Sequence, residues 1–309
     1  MRVSNLKQIY NSFVVLDIEN LEFDSSKITA LMGTNGSGKS TLLRLIAGLE
    51  KGVSGEIKST LKPSNISILL PEPMLLKRSV RENFKFILKI NGLENEFESR
   101  VGESLELAGL DESFLDKKHY ALSSGQTQRV AFALVLALRK PLILLDEPTN
   151  SLDLASAKLF ANAIEQMNEK YGCGFIIASH DEKWLSAIAH ESVFLHAGKV
   201  AQFEYKNIFR VSDGAIKFSD DKFIKLPLSL AKFNEVAINL NEIEISTLPK
   251  EGFLRGAAHS ISSVYKTKTL AKIKYGEYLI KLILDEYSRE FGVGSEVYFK
   301  VKDGAYVGL

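Results

Sequence analysis

Between Lys7 and about Glu204, apolar runs of strand length alternate with longer stretches that carry a helical pattern. The strand-like runs are Ile28–Met32, Ile66–Leu70, Leu142–Asp146, Gly174–Ser179 and Ser192–His196. The helical stretches are Lys39–Leu49, Val80–Ile90, Phe97–Leu110, Gly125–Leu138 and Leu154–Lys170. This alternation predicts a layered α/β domain with a largely parallel sheet. Beyond Tyr205 the texture changes to short alternating segments, Phe223–Leu226, Glu235–Leu240, Glu242–Ser246, Leu279–Leu284 and Glu296–Val301, with Gly and Pro between them. Closely spaced strands of this kind predict a small antiparallel barrel or sandwich. The boundary is expected between Tyr205 and Val211, dividing the chain into residues 1–207 and 208–309.

Composition narrows the function. The chain has 309 residues, 45% of them hydrophobic and 25% charged, and 39 basic residues nearly cancel 38 acidic ones. A net charge of +1 offers no global field toward nucleic acid, which is not expected as a partner. Cys173 is the only cysteine, and Arg2, Asn5 and Lys7 are followed by strand-like alternation rather than a secretory signal, so a reducing cytoplasm is expected. The longest apolar runs, such as Ala131–Leu138 and Leu142–Leu145, fall short of the ~20 residues that span a bilayer. A membrane role must therefore come through a partner.

Two stretches carry chemistry. Gly33-Thr34-Asn35-Gly36-Ser37-Gly38-Lys39-Ser40-Thr41 fits the G-x-x-x-x-G-K-[ST] pattern between a strand and a helix. The glycines let backbone N–H groups wrap phosphates while the helix start aims its dipole at the anion. Lys39 is expected on the β and γ phosphates and Ser40 on Mg²⁺. Downstream, Leu142–Pro148 is an apolar strand that delivers two carboxylates. Asp146 is expected to hold Mg²⁺ and Glu147 to polarise the attacking water.

Leu122-Ser123-Ser124-Gly125-Gln126 resembles the LSGGQ loop of ATP-binding cassette proteins, with Ser124 in place of the usual glycine. The resemblance spans about residues 1–205 and implies a P-loop NTPase fold with a helical subdomain. It implies that Ser123, Gly125 and the helix start, with Gln126 nearby, reach the γ phosphate held by a second copy in a homodimer. A serine in that place also caps a helix. By the same resemblance His180 is a switch histidine at the γ phosphate, Asp153 lies in the loop exchanged across the dimer, and Tyr10 stacks on adenine. Where the family has a glutamine between its lobes this chain has Pro71, with Glu72 the nearest polar side chain; either Glu72 takes the role or the role is absent. Met74, Leu75, Leu76, Phe84 and Phe86 supply apolar surface where the family docks a permease, or belong to the helical lobe's own core.

Residues 211–309 resemble the OB-like TOBE extension of importer ATPases, through Lys225–Leu228, Val236–Glu242, Gly256–Val264 and Phe291–Phe299. The resemblances together imply an importer ATPase on the inner face of the cell membrane, working with permease subunits and a solute-binding protein. They imply an oxyanion cargo such as tungstate or molybdate, with sulfate, sugar or ferric iron as rivals. In that branch His259, Ser260, Ser262 and Ser263 are candidate oxyanion donors. A non-transport cassette ATPase and a regulatory protein that binds ATP without turnover are the other readings. Intact Lys39, Asp146, Glu147 and His180 speak against the last.

Overall fold

The computed structural model describes residues 1–201, 203, 207–264, 268–284 and 291–309, without the side chains of Ser263 and Val264. Tyr205, where the expected boundary region begins, lies outside them, as does the donor group of Ser263. The chain divides into two compact units, Met1–Val200 and Ala201–Leu309.

In the first unit β1 (Arg2–Tyr10), β2 (Phe13–Glu22) and β4 (Ser54–Lys58) form an antiparallel sheet in the order β2-β1-β4. The main sheet runs β5 (Ile66–Leu69), β6 (Leu142–Asp146), β7 (Gly174–Ala178), β3 (Ile28–Met32), β8 (Glu191–His196) and β9 (Lys199–Ala201). From β5 to β8 every neighbour pair is parallel. Alternate side chains of the central strands feed two cores, as a pleated strand requires. On one face Ile143, Leu145, Phe175 and Ile177 pack with α2 (Val80–Ile90), α3 (Phe97–Leu107), α4 (Ser124–Ala137) and α5 (Leu154–Tyr171). On the other, Leu142, Leu144, Ile176 and Ala178 pack with α1 (Lys39–Ile46) and with Val3, Leu6, Leu16 and Ile18 of the antiparallel sheet. Phe132 of α4 stacks on Phe160 of α5 at 3.8 Å between ring centres, and both are fully buried. Each such ring stabilises the unit by roughly 1.5–3 kcal/mol.

Helix ends follow local chemistry. Ser79 caps α2 and Glu82 reaches back to it, a reciprocal cap that fixes the start at Val80. Gly172 ends α5 in the left-handed conformation at φ 65°. Gly48 at φ 71° follows the end of α1, which closes at Ile46, three residues before the expected Leu49. Helix α6 (Glu182–Ile188) was not among the expected elements; its seven residues are too short for a periodic signal to stand out.

The second unit is all β, and its strand pairs are antiparallel. Its strands are β10 (Asn207–Arg210), β11 (Ala215–Lys217), β12 (Phe223–Lys225), β13 (Glu235–Ile238), β14 (Ile243–Ser246), β15 (Leu254–Val264), β16 (Lys268–Tyr275), β17 (Tyr278–Leu284), β18 (Glu296–Val301) and β19 (Tyr306–Gly308). They form sheets ordered β14-β18-β15-β16-β17, β10-β13-β19 and β11-β12. Tyr275 meets Phe218 and Phe299 edge to face at 5.1 and 5.2 Å in the core. The turn from β16 to β17 needs Gly276, at φ 60°, because a Cβ there would sit 2.3 Å from the Phe218 carbonyl oxygen.

Candidate active site

The loop between β3 and α1 is built around glycines that no other residue replaces. At Gly33, φ 149°, a Cβ would lie 2.3 Å from the Leu195 carbonyl oxygen; at Gly38, φ 100°, it would lie 2.5 Å from Leu16 Cδ2. Gly38 is also the cap of α1, with no side chain bonded to the first-turn amides and no acidic residue among them. Those amides and the helix dipole face the loop as donors for an anion. Lys39 is buried and folds back, donating from Nζ to the carbonyls of Gly33 at 2.8 Å and Thr34 at 3.2 Å. Burial lowers its pKa, against the pull of Glu147 and Asp146. Asn35 and Gly36 are exposed at the rim, while Ser37 is buried with its hydroxyl unpartnered. Thr41 is buried in the first turn of the helix.

Strand β6 delivers Asp146 to the foot of this loop. Its Oδ1 accepts from the Ser40 hydroxyl at 3.0 Å, and its Oδ2 is buried without a partner. Burial raises the Asp146 pKa, with the Ser40 hydrogen bond opposing and the neighbouring Glu147 adding to the rise. A hydroxyl and an orphaned carboxylate oxygen side by side form a hard-oxygen set that fits Mg²⁺. The next residue, Glu147, has φ 49°, a left-handed backbone that costs on the order of 1 kcal/mol outside glycine. Its N–H donates to the Ala178 carbonyl at 2.8 Å, which locks the turn to the end of β7. The same strand end presents His180, whose Nδ1 lies 2.8 Å from the Glu147 carboxylate and whose backbone N–H donates to it at 3.2 Å. Sequence elements 33 residues apart thus meet as one acid–histidine pair.

Ser123 caps α4, accepting from Gln126 N–H at 3.3 Å, while the Gln126 side chain accepts from Ser123 N–H at 3.1 Å. Ser123 and Ser124 are exposed, so the helix start is held in shape and open to solvent. Gly125 packs on the next loop: a Cβ there would come within 3.1 Å of the Ser151 carbonyl oxygen. Asp153 caps α5 through a 2.7 Å bond from Ser156 N–H, and that hydrogen bonding lowers its pKa. Gln128 is a residue that sequence reasoning passed over. It is buried and donates from Nε2 to the Pro148 carbonyl at 3.0 Å. A glutamine at a helical position that faces a core was the available signal.

The remaining candidates lie further out. Tyr10 pairs with Phe13 across the β1–β2 turn, half exposed, and its hydroxyl donates to the Glu50 carboxylate. Strand β2 borders the loop, since Val15 O is 2.9 Å from where a Gly38 Cβ would be. Pro71 is half-buried beyond the end of β5, and among the described residues exposed Glu72 makes no hydrogen bond or ion pair. Met74, Leu76 and Phe86 are exposed, and Leu75 packs partly into the core. Phe84 is fully buried, so it belongs to the helical lobe's core and not to a docking surface. In the second unit His259 stands exposed at a bulge between Ala258 and Ser260.

A glycine loop before a helix, an apolar strand ending in two carboxylates, a histidine on the neighbouring strand and a capped, exposed helix start define a P-loop nucleotide-hydrolysing cassette. Comparisons with known proteins give the same class. The family described as ABC transporter matches residues 16–150, and a model described as an AAA domain, putative AbiEii toxin, type IV toxin–antitoxin system, matches residues 118–185. The chain is 45% identical over 225 residues to the tungstate uptake system ATP-binding protein of Campylobacter jejuni, covering 71% of this chain and 68% of the relative. It is 38% identical over 207 residues to the protein of the same description from Peptoclostridium acidaminophilum, covering 65% of this chain and 96% of the relative. A solved dimeric ATP-binding cassette in a post-hydrolysis state, bound to ADP and Pi, matches with a TM-score of 0.59 at 28% identity, over 65% of this chain and 96% of that one. The chain belongs to the ATP-binding cassette family of transporter ATP-binding subunits and is an ATPase. No helix among the described residues is long and apolar enough to cross a membrane.

Proposed function

We propose that this chain is the ATP-hydrolysing subunit of an importer, that it works as a homodimer, and that its cargo is tungstate. The observation that carries the hydrolytic reading is the cluster of Ser40, Asp146, Glu147 and His180 around the phosphate loop. Ser40 and the orphaned Asp146 Oδ2 would hold Mg²⁺, which would supply positive charge against the phosphates. Lys39 exchanges the carbonyls of Gly33 and Thr34 for phosphate oxygens, and the amides of Gly36 to Thr41 cradle them. The Glu147 carboxylate accepts a proton from the attacking water while His180, hydrogen-bonded to it, orients that carboxylate and meets the γ phosphate. Tyr10 covers the base.

Ser123 and Ser124 are exposed, Gly125 and Gln126 half-buried, and together they form a capped helix start whose amides suit a phosphate. A second copy supplies that phosphate. The dimeric cassettes among the solved relatives support this arrangement. Glu72 stands in for the missing glutamine between the lobes, and Met74, Leu76 and Phe86 form the surface that meets permease subunits on the inner face of the membrane. Residues 208–309 are an OB-like accessory domain.

Tungstate rests on the two uptake-system relatives; relatives described as sulfate and ferric-iron import proteins match at 32–35% identity. The test is to purify the chain with its membrane partner, reconstitute it, and measure ATPase activity as tungstate, molybdate or sulfate is delivered by the solute-binding protein. Stimulation by tungstate at the lowest concentration is expected. Equal stimulation by sulfate, or a chain that copurifies with no permease, contradicts the proposal.

A further inference from the structure

Helix α4 and the turn after Glu147 are tied by one buried hydrogen bond. Helix α4 starts at the exposed cap Ser123, which faces a partner's nucleotide in the reading above, and Glu147 serves the chain's own. Gln128 lies in the second turn of α4, 3% exposed, and its Nε2 donates to the Pro148 carbonyl at 3.0 Å. Glu147 carries the left-handed φ, and Pro148 after it has no N–H, so that position of the turn has no backbone donor to tie it down. Gln128 instead holds the turn by the Pro148 carbonyl, one peptide further on. The turn beyond is closed on itself by Asn150 N–H to Glu147 O at 3.2 Å and Leu152 N–H to Thr149 O at 3.1 Å. It rests on α4 a second time where Ser151 O meets Gly125. Next along the helix, Arg129 donates to Ala108 O at 2.8 Å and to Gly109 O, fastening α4 to the end of α3. The helical lobe, the Ser123 cap and the Glu147 turn are therefore joined through adjacent side chains.

We infer that Gln128 is a positioning residue: it makes the placement of Glu147 depend on where α4 sits, so docking of Ser123 on the partner's nucleotide sets the carboxylate that hydrolyses the chain's own. This rests on the roles of Glu147 and Ser123 proposed above, which an inactive but ATP-binding Glu147→Gln protein tests separately.

The experiment uses the full chain with Gln128→Met, which keeps length and loses the donor, and Gln128→Glu, which keeps shape. For Gln128→Met, Mg-ATP affinity and melting temperature stay near wild type, kcat falls about 10- to 100-fold and KM moves less than about twofold. Ser123→Ala lowers kcat in the wild-type chain and adds little in the Gln128→Met background, the non-additivity expected of two groups acting through one path. For Gln128→Glu, burial raises the carboxyl pKa, so the protonated form returns an O–H donor at low pH and activity relative to wild type falls as pH rises from about 6 to 8. A Gln128→Met kcat within about twofold of wild type overturns the inference. Additive Ser123 and Gln128 effects also overturn it, and so do affinity and melting temperature falling together with kcat in both variants.

Discussion

The two units solve the same problem of burying a core, but among the described residues only the first leaves buried side-chain polar atoms without a partner. Every buried side-chain atom found without a partner among the described residues, in Gln8, Ser37, Ser67, His119 and Asp146, lies in Met1–Val200. Seven of the eight described non-glycine residues at positive φ, including Glu147 and Ser151, are there too, against Asp213 in the second unit. Among the described residues of the second unit, an antiparallel β structure, no buried side-chain N or O lacks a partner. Unsatisfied and strained groups persist where a ligand or a moving part gives them a use. Ser37 lies in the phosphate loop and Asp146 against it, and Glu147 and Ser151 bracket the turn held by Gln128.

The largest way to break this contrast is at Glu147. Glu147→Gln keeps shape and removes the proton acceptor, so kcat falls about 100-fold or more while Mg-ATP affinity is retained, read by steady-state turnover against nucleotide titration. Undiminished turnover would move catalysis elsewhere. Next comes Asp146→Asn, which sharpens the contrast because activity and stability part company. Burial raises the Asp146 pKa above 3.8, so its charged form costs folding stability. That cost is absent below the ordinary carboxylate range, grows as pH rises toward the raised value, and is fully present above it. The variant therefore melts higher than wild type by a few degrees at pH 7, with the gap closing toward about pH 4, and loses Mg-dependent turnover. A lower melting temperature at pH 7 contradicts the burial argument.

Smaller effects separate the units. Gly38→Ala forces a Cβ onto Leu16 and Val15 at φ 100°, and lowers stability by about 1–3 kcal/mol together with nucleotide affinity. Gly276→Ala does comparable steric damage against Phe218 O, but in the second unit. It lowers the melting temperature and leaves the affinity of the first unit for nucleotide unchanged. Equal loss of nucleotide binding in both variants would show that the units do not divide the work as described.

Much of the first unit was legible in the sequence because buried parallel strands read as apolar runs. Ile28–Met32, Leu142–Asp146 and Val80–Ile90 fall at the expected bounds. The phosphate loop was legible because its glycines answer local backbone demands that leave a pattern. The pair Glu147–His180 was visible only as two residues in family context; their 2.8 Å approach depends on β6 and β7 being neighbours, which no local pattern encodes. Gln128 was missed because a single buried hydrogen bond leaves no periodic trace. Phe84 was left open between surface and core because α2 is amphipathic and only the packing of α4 shows which stripe faces inward. In the second unit Gly256–Val264, within β15, was read as part of the TOBE-like extension, but its hairpin partner β16 escaped notice, since its lysines weaken the alternation that marks a strand.

We propose that the phosphate loop is half of a site, which Ser123–Gln126 of a second copy completes. The direct measurement is the mass in solution of Glu147→Gln with and without Mg-ATP, repeated with Ser123→Arg added. The expected result is a monomer that becomes a dimer holding two nucleotides on addition of Mg-ATP, and no dimer once Ser123→Arg is present. A Glu147→Gln chain that binds Mg-ATP and stays monomeric, or a dimer indifferent to Ser123→Arg, would contradict it.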